Sequence, residues 1–360
     1  MINIANRRRG LVSDKDAKTY RLRAGDLLFV RVNGAREIVG RCAVVGAGLP
    51  TDMIFNDRLI RVQLKPGLDR RFAKLCMAAP PARAVIEAAA STSAGQLTIN
   101  QDLLDSIRVP RLEFGEQRLV SDRLCAQGAA LSAAVGAAQA QLREACCLVE
   151  ATLRFEFSSL RSARRNRLVD ITQTSSGTTP SRSRADCWTP PVHPWVKTGE
   201  VAFAPIHQTE EAISERALQE CSLSLLPART VLVAMYGQGK TRGQSAVLEV
   251  PATTNQACFA ILPSEHLDAD YLQFWLRHSY NDLRALSESR GGNQSNLSGA
   301  VLNAFEVPLV PMAQQLALVA RVKAALVEAE ALQTSIARRL AEIERLPARL
   351  LAQAFGDACP

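Results

Sequence analysis

The stretch with the most recognisable chemistry is Ala234-Met235-Tyr236-Gly237-Gln238-Gly239-Lys240-Thr241, which follows the apolar run from Val231 and ends in the Gly-Lys-Thr of a phosphate-binding loop. That motif requires glycine where Ala234 stands, and a long helix must follow it. Gly243 to Val250 reads as another strand instead, which argues against nucleotide chemistry. In a loop between two strands, Gln238, Lys240 and Arg242 suit contact with DNA: Gln pairs with adenine, and Lys or Arg with guanine or phosphate. Arg31, Asn33, Arg36 and Arg41 occupy the matching loop of an earlier, similar segment. Ser175 to Arg182 is a Gly/Ser/Thr/Pro loop, and Thr178, Arg182, Arg184 and Lys197 in and after it suit phosphate contacts. Taken singly, each of these side chains reads equally well as a solvated loop residue. Arg161, Arg164, Arg165 and Arg167 divide the same way between duplex backbone and ordinary linker.

Other chemistries find no residues. The histidines His193, His207, His266 and His278 lack metal-ligand spacing, so neither a metal nor a cofactor is expected. The nine cysteines contain no C-x-x-C pair and read as reduced thiols of a cytoplasmic protein. No Asn/Asp-Pro-Pro-Tyr/Phe of an amino-methyltransferase is present; Thr189-Pro190-Pro191-Val192 imitates only its middle. No apolar run reaches the roughly 20 residues that cross a bilayer. The balance of 43 basic against 35 acidic residues, net +8, favours a polyanionic partner.

The elements that must position these loops occur twice. Gln96 to Phe157 lies on Gln294 to Phe355 without a gap, 198 residues apart, with Val109-Pro110 on Val307-Pro308 and Gln117 on Gln315. Upstream, Leu27 to Val30 matches Val231 to Ala234, Gly40 to Val44 matches Gly243 to Val247, and the helix at Phe72 matches Tyr271 to Arg277. Residues 166 to about 206 then have no counterpart, so either the start at Met1 is placed late or the first copy is a reduced one. Arg290 to Asn296 and its counterpart Ser93 to Asn100 read as a structural turn at the join of domain and helix. Each copy ends in a long helix. Leu124, Leu131, Val135, Ala138, Leu142, Ala145 and Val149 form one seam; Val319, Val322, Leu326, Ala329, Ile336, Leu340, Ile343 and Leu350 form the other. Steps of three and four make a narrow stripe for another helix, with Pro347 expected to kink the second.

The second half resembles the target-recognition domain and helix of a type I restriction-modification specificity subunit. The likeness is carried by Leu168-Val169-Asp170-Ile171, Gly177-Thr178-Thr179-Pro180-Ser181, Trp195-Val196-Lys197-Thr198-Gly199-Glu200, Gly291 to Ser298, and Val307-Pro308-Leu309-Val310-Pro311 before Gln314-Gln315. Gly95 to Asn100 and Val109-Pro110 before Glu116-Gln117 are weaker counterparts. The resemblance implies a non-catalytic chain that reads a bipartite target in double-stranded DNA. It also implies docking of two methyltransferase subunits, which modify adenine from S-adenosylmethionine, and optionally of two motor-nuclease subunits. The expected fold is α+β: two similar mixed α/β target-recognition domains separated by two long helices packed as an antiparallel coiled coil, a pseudo-twofold internal repeat. Its expected parts are residues 1–112, first domain; 113–160, first helix; 161–312, second domain; and 313–360, second helix. A coiled-coil adaptor that joins proteins without reading DNA is the rival reading.

Overall fold

The computed structural model describes residues 10–50, 52–93, 96–237, 239–288 and 296–356. Gln238, expected to face a base, and most of the turn at 290–296 lie outside the described residues. The chain divides into two compact units, residues 1–142 with 335–360, and residues 143–334.

The first unit contains α1 (Asp14–Thr19), β1 (Leu27–Val30), β2 (Val32–Asn33), β3 (Cys42–Val44) and β4 (Leu59–Val62), followed by α2 (Arg70–Ala78) and α3 (Pro80–Ala89). After them come β5 (Ser91–Ser93), β6 (Gln96–Thr98), α4 (Gln101–Ser106) and the start of α5 (Phe114–Ser158). An antiparallel sheet of order β3-β1-β4 lays Leu27, Phe29 and Ile60 against Met77 of α2 and Ile86 of α3. The helix α2 begins where it does because the Asp69 carboxylate accepts from the backbone N–H groups of Arg71 and Phe72. Pro80-Pro81 opens α3, since the first turn of a helix has no use for the missing N–H.

The second unit contains β7 (Arg165–Arg167), α6 (Leu168–Ile171), β8 (Thr174–Ser176), β9 (His193–Val196), β10 (Glu211–Ile213) and α7 (Glu215–Glu220). Next are β11 (Val231–Ala234), β12 (Ser245–Val247), β13 (Thr253–Thr254), β14 (Cys258–Ile261), α8 (Ala269–His278) and α9 (Tyr280–Glu288). The unit closes with α10 (Gly299–Asn303), β15 (Glu306–Pro308) and most of α11 (Met312–Phe355). Its main sheet has the order β12-β11-β14-β8, with a core on each face. A smaller core of Cys187, Trp195, Ile213, Ala217 and Leu223 holds the segment between β8 and β11 together.

The two units share strand order and register. Leu27↔Val44 and Phe29↔Cys42 in the first unit repeat as Val231↔Val247 and Val233↔Ser245 in the second. Leu27↔Val62 and Val30↔Leu59 repeat as Val231↔Ile261 and Ala234↔Cys258. A buried glutamine repeats as well. Gln117 accepts from the Asp69 N–H at 2.8 Å and donates to the carbonyls of Gly67 and Leu112 at 3.0 and 2.9 Å. Gln315 accepts from the Asp268 N–H and donates to the carbonyls of His266 and Val310, each at 2.9 Å. Both Asp69 and Asp268 cap the helix that packs on the sheet, so each amide ties the foot of a long helix to that cap.

Within each unit the long helices meet along the expected seam, every position of which is buried or half-buried. In the second unit, Glu156 receives both arms of Arg321 at 2.9 and 2.7 Å, and Gln333 donates to the Ala145 carbonyl at 3.2 Å. Twelve residues forward on α11 thus correspond to eleven back on α5, the signature of antiparallel packing. In the first unit, Val120 and Leu124 of α5 cluster with Leu350, Leu351 and Phe355 of α11. Pro347 lies inside α11, which runs on to Phe355. Among the described residues no helix is long and apolar enough to cross a membrane.

Replacing Gln315 by Met keeps volume and removes three hydrogen bonds from a fully buried position. Denaturant unfolding is expected to show a loss of about 1–3 kcal/mol, with a similar loss for Gln117→Met. An unchanged midpoint for both would mean that the amides do not hold the helices in place.

Candidate nucleic-acid interface

Antiparallel pairing in the second unit sends three connections to one end of one sheet. Ala234 pairs with Cys258, and Phe259 pairs with Ser176, so the loop 235–244 after β11, the turn 255–257 before β14 and the loop 177–184 after β8 emerge together. Residues almost 80 positions apart in sequence meet there: the Thr179 hydroxyl is hydrogen-bonded to the Gln256 side chain. Gly177 makes this approach possible, since a Cβ on it would lie 1.9 Å from the Thr254 carbonyl oxygen. Thr178 is fixed by its backbone, donating to the Thr254 carbonyl at 3.0 Å and accepting from Trp195 Nε1 at 3.1 Å.

The loop 235–244 returns directly into β12, paired antiparallel with β11, so the Gly-Lys-Thr of this loop precedes a strand and not a helix. Its base is held from α9: the Tyr280 hydroxyl donates to the Lys240 carbonyl at 2.6 Å, and Arg284 donates to the Arg242 carbonyl at 3.1 Å. The Lys240 side chain is exposed, and among the described residues its ammonium has no ion-pair partner. Tyr236 beside it is 41% exposed. Arg242, expected to face DNA, is only 8% exposed; its side chain packs inward while its carbonyl anchors the loop.

The other basic residues expected to face DNA in this unit, Arg182, Arg184 and Lys197, meet carboxylates. Arg182 lies with its guanidinium carbon 3.9 Å from the Trp188 ring centre and pairs with Glu211 at 2.5 Å. Arg184 bridges Asp186 and Glu220 at 2.7 and 2.6 Å. Lys197 contacts Glu210 and Glu211 at 2.5 and 3.2 Å. Hydrogen bonding to Asp186 and Glu220 raises the Arg184 pKa, and Glu210 with Glu211 does the same for Lys197. The Arg182 guanidinium lowers that of Glu211. These pairs fasten the segment between β8 and β11 and cancel most of its charge. Of the basic linker, Arg167 pairs with Asp170 at 2.9 Å and Arg165 lies over the Trp275 ring.

In the first unit, Arg31, Asn33, Arg36 and Arg41 lie between β1 and β3 as expected, stitched to backbone groups. Arg31 donates to the Asp57 carbonyl at 3.4 Å, Arg36 to that of Glu87 at 3.2 Å and Arg41 to that of Glu37 at 2.6 Å. Asn33 Oδ1 accepts from the Ala35 N–H at 2.9 Å and shapes the loop. Among the described residues none of the three arginines has a carboxylate partner, so their charge is retained. Sequence reasoning missed Tyr236, Thr179 and Gln256, because only strand order brings their loops to the same end of the sheet as that of Lys240. Among the described residues no group of three or more His, Cys, Asp or Glu is placed to hold a metal ion.

The family described as the type I restriction modification DNA specificity domain matches residues 165–345. The EcoR124I/EcoR124II specificity subunit of Escherichia coli is 25% identical over 149 residues, 41% of this chain and 37% of that protein. The MjaIX specificity subunit of Methanocaldococcus jannaschii is 28% identical over 145 residues, 39% of this chain and 33% of that one. The matched stretch therefore spans about a third of the length of these relatives. In fold, the chain is similar to the HsdS subunit from Thermoanaerobacter tengcongensis, with a TM-score of 0.63 and 18% identity over 93% of this chain and 81% of the other. A chain from a structure described as the basis of complex assembly and conformational transition of the type I R-M system gives 0.70 and 17% over 93% and 82%.

Gly177→Ala is expected to open the Thr178–Thr254 contact and lower stability by about 1–3 kcal/mol, read by thermal unfolding. A variant as stable as the parent would show that the loop 177–184 is not pinned to the turn before β14.

Proposed function

The chain belongs to the type I restriction modification DNA specificity family, and from that membership we propose that it is the DNA-recognition subunit of a type I restriction-modification complex. It performs no chemistry itself; methyl transfer to adenine belongs to its partners. The observation that carries this reading is the convergence, inside the family-matched region, of three loops on one end of one sheet. A rigid sheet presenting mobile side chains on loops is a common way to place binding residues. Here Tyr236, Lys240, Thr179 and Gln256 supply a ring, an ammonium, a hydroxyl and an amide, a set that matches base edges and phosphates of a duplex.

In this reading the target is bipartite, with the second unit engaging one DNA segment and the first unit another. The helices α5 and α11, 45 and 44 residues long, act as spacers between them and as docking sites for two methyltransferase subunits and, in a nuclease complex, two motor-nuclease subunits. Apolar side chains left in solvent on the second unit's helices support docking: Leu148 and Phe155 on α5, Leu316 and Val327 on α11, with Phe155 76% exposed. Exposed apolar residues of this size grouped on a helix are a mark of a partner surface.

A reader and a protein adaptor differ in their response to salt. A reader that makes 6–10 phosphate contacts loses about 10³–10⁵ in affinity between 50 and 200 mM salt. Lys240→Ala is expected to weaken binding to the target duplex by about 1–3 kcal/mol while moving the unfolding free energy by less than about 0.5 kcal/mol. Fluorescence anisotropy checks both; affinity indifferent to salt and to this substitution would favour the adaptor.

A further inference from the structure

The two units share a sheet but not what lies upon it. In the second unit one sheet face is sealed: Leu232, Ala234, Ala246, Leu248, Cys258 and Ala260 are fully buried beneath Val196, Val201 and Ile206. By register, their counterparts in the first unit are Leu28, Val30, Ala43, Val45, Leu59 and Arg61. Leu28 and Val45 are still buried, but Val30, Ala43 and Leu59 are only half-buried, and a guanidinium replaces the methyl group of Ala260. Arg41 shares this face, because its carbonyl accepts from the Val30 N–H and residues opposed across an antiparallel pair project to the same side.

Both side chains are braced by neutral acceptors. Arg61 donates to the Arg21 carbonyl at 2.6 Å and lies over the Phe55 ring, while Arg41 donates to the Glu37 carbonyl at 2.6 Å. Among the described residues neither meets a carboxylate. Exposed Arg31 and Arg58 adjoin at the end of the same sheet, their backbones joined at 2.8 Å. Covering such a face with apolar residues would strand unpaired charges, which is strongly unfavourable. Its chemistry fits a polyanion.

We propose that this face of the first unit is a sequence-neutral clamp on the phosphodiester backbone of duplex DNA, with Arg41 and Arg61 as its principal contacts. The proposal rests on the DNA-recognition reading above and deepens it: this face grips the backbone of the DNA segment that the first unit engages and reads no bases itself. Planar guanidinium forks suit phosphate oxygens, and contacts of that kind fix position without reporting sequence.

The full chain is titrated with a duplex carrying its methylation target and with one of the same length and shuffled sequence. Arg41→Ala with Arg61→Ala is expected to weaken both by one common factor, roughly tenfold, and to lower the salt slope by about 2. Lys at both positions restores most of the affinity. Arg41→Gln, at an exposed position, carries the same test with half the slope change should the double variant fold poorly. A loss confined to the target duplex overturns the proposal, because the face would then be reading bases. So does unchanged affinity for both duplexes. Wild-type chain that shows no salt-dependent binding to either duplex overturns the recognition reading itself, a result separate from any variant.

Discussion

A primary amide buried at the foot of each long helix must find partners away from water, and the rest of the architecture follows from how it does so. Gln117 and Gln315 each satisfy one backbone N–H donor, at the helix cap, and two backbone carbonyl acceptors of neighbouring loops. Those partners exist only when the long helix starts beside the capped helix that covers the sheet. An aromatic contact closes the other side in both units: Phe72 on Phe355 and Tyr271 on Phe157, each with ring centres 5.6 Å apart. Each unit is thus built on the start of one long helix and the end of the other, and the first unit is completed only when residues 335–360 return to it.

That frame explains why the loops can be small and yet ordered. In the second unit the sheet is covered on both faces, so the three connections at its end leave a fixed base, and Tyr280 and Arg284 hold the longest of them by its carbonyls. Most basic residues near the loops are spent internally. Arg182, Arg184 and Lys197 have carboxylates within 2.7 Å, and such exposed pairs contribute little stability one by one. Their effect is to neutralise, so near the loops the positive charge available to a ligand is carried by fewer residues than composition implies, among the described ones Lys240 in the second unit and Arg31, Arg36 and Arg41 in the first.

The repeat was readable because its spacing is set by backbone elements and its loops vary between them. The matched strands reproduce their register to the residue, and the glutamine that aligned as Gln117 on Gln315 has the same three partners in both places. Seam positions were readable for the same reason: a period of three and four fixes which side of a helix is covered. Short strands such as β2, β9 and β13 were not, since two to four residues carry no period, and α3 starts at the prolines because their missing N–H groups cost nothing there. Single site residues were least readable. Arg242 and Lys240 differ by two positions in one loop, yet one is buried and the other exposed, a distinction made by α9 some 40 residues away. Arg182 and Lys197 looked available because their acidic partners at 210 and 211 come close only after β9 and β10 pair.

The central claim, that this chain chooses where a modification complex acts on DNA, is tested most directly by sequencing methylated adenines in a host with and without the gene, its modification partner present in both. The account predicts methylation at one recurring sequence context that appears only with this chain. Methylation that is absent in both, or that keeps the same pattern when the chain is removed, would contradict it.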